Sequence, residues 1–105
     1  MPKQKVATKS EIPKGKAKAF KVGADEVAVY HTENDEFYAT LDICTHEHCN
    51  LSDNGGKLSG YEIECDCHGS RFDIRNGKVL LPPAMEDLKT FKVNVEGEGI
   101  FVESS

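Results

Sequence analysis

Lys18-Ala19-Phe20-Lys21-Val22 alternates apolar and polar residues, and Gly23-Ala24-Asp25 breaks the run. Alternation with a period of two marks a strand with one buried face. Glu26-Val27-Ala28-Val29-Tyr30-His31 reads as a second strand and Asn34-Asp35 as a turn. Phe37-Tyr38-Ala39-Thr40-Leu41 reads as a third strand, which delivers the chain to Cys44. Further on, Tyr61-Glu62-Ile63-Glu64 alternates straight into Cys65. Phe72-Asp73-Ile74 and Lys78-Val79-Leu80-Leu81 flank Asn76-Gly77, a dipeptide suited to a tight hairpin turn. Phe91-Lys92-Val93-Asn94-Val95 and Ile100-Phe101-Val102 flank Gly97-Glu98-Gly99 as a closing hairpin. Helical periodicity is weak throughout. Many short strands with regular turns predict an all-β fold, an antiparallel sandwich or barrel. A small Gly-, Asn- and Ser-rich subdomain, about residues 43–73, is inserted into it.

A chain of 105 residues fits a single domain spanning 1–105 with a modest core, so a metal or covalent staple would help it fold. The formal net charge of −5 suits docking to a basic protein patch. No stretch combines basic residues with aromatics, which argues against nucleic acid as a partner. No apolar run reaches signal-peptide or membrane-span length, so the expected setting is cytoplasmic, with no membrane partner.

All four cysteines, Cys44, Cys49, Cys65 and Cys67, fall within one stretch, together with His46, His48 and His68. Clustered cysteines in a cytosolic setting point to metal or redox chemistry more than to a disulfide framework. Cys44-Thr45-His46 is a Cys-x-His pair, and Cys65-Asp66-Cys67-His68 contains a Cys-x-x-His pair. Both follow predicted strands. Each pair brings one thiolate and one imidazole to a tight loop, and two such loops held side by side can enclose a binuclear centre. Two Cys and two His also make a sound tetrahedral zinc site. Common zinc fingers, however, place the two cysteines together and the two histidines together.

The interleaved pairs, followed by His68-Gly69-Ser70-x-Phe72-Asp73, resemble the Rieske iron-sulfur family. The resemblance covers most of the chain, and the short His46-to-Cys65 spacer is similar to that of soluble Rieske ferredoxins. It implies one 2Fe-2S cluster, with Cys44 and Cys65 on the buried iron and His46 and His68 on the iron nearer solvent. Replacing two thiolates by neutral imidazoles makes the cluster less negative and easier to reduce. Rieske potentials accordingly lie at roughly −150 to +300 mV, against about −400 mV for plant-type ferredoxins. The potential should fall with rising pH once the ligand histidines titrate.

Cys49 and Cys67 stand at offsets where Rieske subunits of cytochrome bc complexes have a disulfide between the cluster loops. The resemblance therefore implies a Cys49–Cys67 bridge, and a reducing cytosol would favour two thiols instead. Closing that loop would remove about 3 kcal/mol of unfolded-state entropy. Asp66 replaces the usual Pro after Cys65, which brings a charge near the cluster and lowers the potential. Ser70 occupies the position of a hydroxyl that raises the potential in high-potential members, whereas Phe72 replaces their tyrosine. An intermediate potential follows. Pro83, in Pro82-Pro83, resembles the proline loop that covers the cluster. His48 matches no ligand position, and His31 reads as structural.

The implied function is a soluble Rieske ferredoxin, passing single electrons from an NAD(P)H-dependent reductase to an oxygenase or similar acceptor. The chain carries no Gly-rich dinucleotide fingerprint and no second metal set for oxygen activation, so it reads as a carrier with no catalytic residues. Two alternatives stand beside it. One is the small Rieske subunit of a larger redox complex, nitrite-reductase-like or arsenite-oxidase-like; the other is a zinc-binding interaction module.

Overall fold

The architecture was taken from a computed structural model, which describes residues 3–43, 49–52, 55–65, 69–82 and 86–103. Eleven strands are described: β1 (Lys3–Thr8), β2 (Lys16–Val22), β3 (Asp25–His31), β4 (Phe37–Leu41), β5 (Lys57–Ser59), β6 (Glu62–Glu64), β7 (Arg71–Asp73), β8 (Val79–Leu81), β9 (Thr90–Phe91), β10 (Val93–Glu96) and β11 (Gly99–Glu103). They form three antiparallel sheets, ordered β1-β11-β10, β2-β3-β4-β9 and β5-β6-β7-β8. A 3-10 turn, Lys9–Glu11, links β1 to the second sheet.

The sheet β2-β3-β4-β9 is the middle layer, and β3 shows why. Alternation puts Ala28 and Tyr30 on one face and Val27 and Val29 on the other. Ala28 and Tyr30 join a core with Ile63 and Phe72, from the sheet that carries the second candidate ligand loop, and with Leu51, Cys65, Ile74 and Leu88 from the connections around it. Val27 and Val29 join Ala7, Ile100 and Val102 from the terminal sheet. Both faces of β3 are therefore covered, which accounts for its nearly unbroken apolar run. The hydroxyl of Tyr30 donates to Thr40 Oγ1 at 2.8 Å, and Thr40 Oγ1 in turn donates to Leu41 O, also at 2.8 Å. Burial pushes the Tyr30 phenol far above its usual range, so it serves as a neutral donor.

The all-β reading holds, and three differences from the sequence have physical causes. β1 is a strand because it pairs with β11 at the far end of the chain, Lys3 opposite Glu103. The predicted strand Phe91–Val95 divides at Lys92: Phe91 pairs with Ala39 in the middle sheet, whereas Val93 pairs with Val102 in the terminal one. One continuous segment thus staples two layers together. Asn76-Gly77 lies in a wider connection than a two-residue hairpin. Asp73 N donates to Lys78 O at 2.9 Å and Gly77 N to Asp73 O at 2.7 Å.

Replacing Gly77 is costly for two reasons. Its φ is +77°, in the left-handed region, and an added Cβ would lie 2.1 Å from Leu88 O. That carbonyl belongs to a segment locked in place, because Leu88 N donates to Gly77 O at 2.7 Å. Gly77→Ala is expected to cost about 3 kcal/mol, from backbone conformation and overpacking together. A chemical denaturation midpoint measured against wild type checks this.

Asp73, within the His-Gly-Ser-x-Phe-Asp string, holds this turn from the other side. Its carboxylate accepts from Arg75 N at 2.9 Å, Nε at 3.1 Å and Nη2 at 2.9 Å. The Arg75 side chain holds the carboxyl below its usual range, against the opposing effect of burial. The folded-state value is depressed, so the stabilisation is present above about pH 4 and is lost as pH falls through the lowered value. Asp73→Asn should cost about 1 kcal/mol at pH 7, and the difference from wild type should shrink toward zero near pH 2. Paired denaturation curves at the two pH values give the answer.

Candidate metal centre

Two loops leave the sheets where the sequence places the ligand pairs. The first begins where β4 ends. Asp42 N donates to Glu26 O at 3.0 Å and extends the pairing with β3. An antiparallel bridge then joins Ile43 to Asn50, and Leu51 N donates to Asp42 O at 2.6 Å. The base of the loop is thereby closed on itself. The second loop connects β6 to β7. Cys65 N donates to Ser70 O at 2.7 Å and Gly69 N to Cys65 O at 2.9 Å, so this base is closed as well. Gly69 takes the left-handed conformation, φ +78°, that the return demands.

Both loops rest on one core. Cys49 and Leu51, at the end of the first loop, pack with Cys65, Ile63 and Phe72. Cys65 is 1% exposed, its thiol outside any disulfide. Ser70 and Phe72, where the loop returns into β7, are fully buried. A thiol at this depth, surrounded by apolar side chains, suits the buried end of a cluster, where water is excluded. The complete donor set of two thiols and two imidazoles on two closed loops fits a 2Fe-2S centre with mixed ligation.

Of the four candidate ligands, Cys65 is placed by the structure. Cys44, His46 and His68 lie outside the described residues, as do His48, Asp66, Cys67 and Pro83. His31 is structural, as its sequence context suggests. It is 5% exposed, its Nδ1 donates to Ile12 O at 2.7 Å, and its ring stacks on Phe37 with centroids 4.0 Å apart. Its Nε2 lies 2.6 Å from Asp35, whose carboxyl is held low by that contact and by Lys9.

Residues 2–92 match the Rieske 2Fe-2S domain. The chain belongs to the Rieske family. As a member it carries a Rieske-type 2Fe-2S cluster. It is 39% identical over 101 residues to the biphenyl dioxygenase ferredoxin subunit of Pseudomonas sp. (strain KKS102), covering 96% of this chain and 91% of that one. The Rieske fold extends to solved structures. The ferredoxin of carbazole 1,9a-dioxygenase from Nocardioides aromaticivorans IC177 superposes with a TM-score of 0.92 at 32% identity, over 100% of both chains. A chain of the complex of reduced oxygenase and oxidized ferredoxin in carbazole 1,9a-dioxygenase matches with a TM-score of 0.85 at 37% identity, over 95% of this chain and 91% of that one. No helix among the described residues of this Rieske protein is long and apolar enough to cross a membrane.

Sequence reasoning missed the residues that build the loop bases. Asp42 is fully buried, and its carboxylate accepts from Ser52 N at 2.9 Å and Ser52 Oγ at 3.0 Å. An acidic residue two places before a candidate ligand was the available signal. Ser52 carried none, because its role depends on where the loop returns.

Proposed function

We propose that this protein is a one-electron carrier that takes electrons from a reductase and delivers them to an oxygenase-type acceptor. The observation that carries this is the pair of closed loops on a shared core, with the Cys65 thiol buried at their junction. Its relatives' role as ferredoxin components of dioxygenases supports the direction of transfer. Cys44 and Cys65 hold one iron; His46 and His68 hold the other. The bound cluster supplies a single low-reorganisation redox step, accepting and releasing one electron. The polypeptide's contribution is to bind it, exclude water from its thiolate side and present its imidazole side to partners. One domain, residues 1–105, does this, with the cluster subdomain near 43–73. The cytoplasm is its working compartment.

Cys49 and Cys67 form a disulfide that ties the two loops together. Support comes from the place of Cys49: half-buried, against the core that also holds Cys65. Free-thiol titration of the native holoprotein should find no reactive Cys49 or Cys67, and two reactive thiols there would refute the bridge.

The potential sits between those of high-potential Rieske proteins and of ferredoxins lacking both hydroxyls, because Ser70 is present and the neighbouring position is Phe72. Phe72→Tyr should raise it, since a hydroxyl donating toward the cluster stabilises the reduced state. A redox titration followed in the visible range reads the change; an unchanged or lower value would remove Phe72 from the set of tuning residues. Electron delivery is tested by reconstitution. The holoprotein should restore NAD(P)H-driven turnover to a reductase and oxygenase pair that lacks its ferredoxin. No turnover with any such pair, from a protein that reduces reversibly, would count against the carrier role.

A further inference from the structure

Many cations of this chain are matched by an acid. Lys3, Lys9, Lys57, Lys89, Lys92, Arg71 and Arg75 each lie within 4.0 Å of a carboxylate oxygen. Among the described residues, Lys5, Lys14, Lys16, Lys18 and Lys21 have no such partner, and neither does Lys78 before β8. The first five sit together. Lys14, Lys16, Lys18 and Lys21 fall on β2 or just before it, and all are exposed. Lys5 joins them from β1: the Glu11 carboxyl feels both Lys18 and Lys5, and Gln4 Nε2 donates to Lys21 O at 2.8 Å. Glu26 stands across from Lys21 on β3, beyond ion-pair distance. A chain of net charge −5 thus carries one basic edge. β2 is an outer strand of the middle sheet. A groove of about 470 Å³ opens on it, lined by Lys16, Ala17, Lys18 and Ala19, with Glu11 and Ser52. Glu11 is engaged by Thr8, whose N and Oγ1 donate to it at 3.0 and 3.1 Å. Ser52 places the groove beside the return of the first cluster loop.

Lysines along an outer strand keep two copies of a chain from pairing through it. A second copy would set lysine against lysine, whereas an acidic segment is attracted. We propose that the β2 edge, with Lys5, Lys14, Lys16, Lys18 and Lys21, is a docking surface for an acidic segment of the reductase that supplies the electron. This rests on the reading of the chain as a carrier between a reductase and an acceptor. The sign of the charge selects the donor. Reduction adds one negative charge to the carrier, so attraction to an acidic partner is weaker in the reduced form than in the oxidised form. A donor has to capture the oxidised carrier and release the reduced one. An acceptor has to do the opposite.

The test follows reduction of holoprotein in the visible range, with NAD(P)H and a catalytic amount of the reductase that reduces wild type. A wild-type protein that holds its cluster and that no reductase reduces overturns the carrier reading, and this proposal with it. Lys16→Glu combined with Lys18→Glu should raise the KM for the carrier about tenfold, with kcat within about twofold. Lys16→Gln combined with Lys18→Gln removes the charges and keeps the part of the residue 16 stem that lies against Gly55. Its KM should rise about threefold. Lys78→Glu combined with Lys92→Glu makes the same change in net charge elsewhere, and its KM should stay within about twofold of wild type. Added salt should raise the wild-type KM and move that of the Lys16→Glu, Lys18→Glu protein much less. Reoxidation by the oxygenase should show one KM for wild type and for that protein. A reductase KM unmoved in both edge variants contradicts the proposal. An equal rise in the Lys78→Glu, Lys92→Glu protein also defeats it, because net charge alone then acts. A shift confined to the oxygenase step would assign the edge to the acceptor instead. Binding of wild type to phosphatidylglycerol vesicles, lost in the edge variants while the reductase KM stays put, would assign it to a membrane surface and overturn the proposal likewise.

Discussion

Cys65→Ser is expected to abolish the 2Fe-2S centre: the purified protein should hold less than about a tenth of the wild-type iron and lose its visible absorption. The reasons combine chemistry and place. A serine hydroxyl is a far poorer ligand for iron than a thiolate, which carries its charge at neutral pH once metal-bound. Cys65 is also 1% exposed, so no water can take the vacated position without entering the core. Its backbone closes the second loop through Ser70 and Gly69, and those bonds survive the substitution. The variant should therefore keep its strand content by circular dichroism while losing the metal. Retained iron with an intact Rieske spectrum would remove Cys65 from the ligand set. The exchange His68→Cys is complementary. If it assembles, a third thiolate should move the potential down toward the plant-type range of about −400 mV.

Phe72→Ala should be the most destabilising single change in the core, at about 3–5 kcal/mol. Phe72 is fully buried on β7 and packs in the cluster that joins the middle sheet to the β5–β8 sheet. Ile63 lies directly across from it on β6, and Val79 pairs with it on β8. Truncating the ring removes contacts toward three strands at once and leaves a cavity that these short strands cannot collapse to fill. Domains of this size are stable by only about 5–15 kcal/mol, so the loss is a large fraction of the total. Urea denaturation of apoprotein and holoprotein separates the effect from metal binding. A loss below about 1 kcal/mol in both would show that the loop sheet relaxes freely around residue 72.

The ligand motif was legible because chemistry fixes residue type. Only Cys and His bind such a centre, and their interleaved order is rarely met by chance. The strands β2, β3 and β4 were legible because each presents alternating or doubly buried faces over five residues or more. What escaped depends on distant partners. β1 reads as a basic, mildly apolar segment, and becomes a strand through β11 nearly the whole chain away. β5 is three residues long, too short for any period to show. The division at Lys92 is invisible because both halves are equally strand-like, and only three-dimensional layering assigns them to different sheets. Asp42 and Ser52 belong to the same class. An Asp and a Ser ten residues apart mean little until the loop between them folds back and buries the carboxylate.

Two thiolates, Cys44 and Cys65, and two imidazoles, His46 and His68, are expected to hold one centre that takes up a single electron. Pulsed EPR on the dithionite-reduced holoprotein, with iron analysis on the same sample, checks this. The expected result is two irons per chain and one unpaired spin per centre. The spin should have a rhombic signal and couple to two imidazole nitrogens, both lost when His46 and His68 are replaced. A colourless zinc protein, or a reduced cluster with no nitrogen coupling, would contradict it.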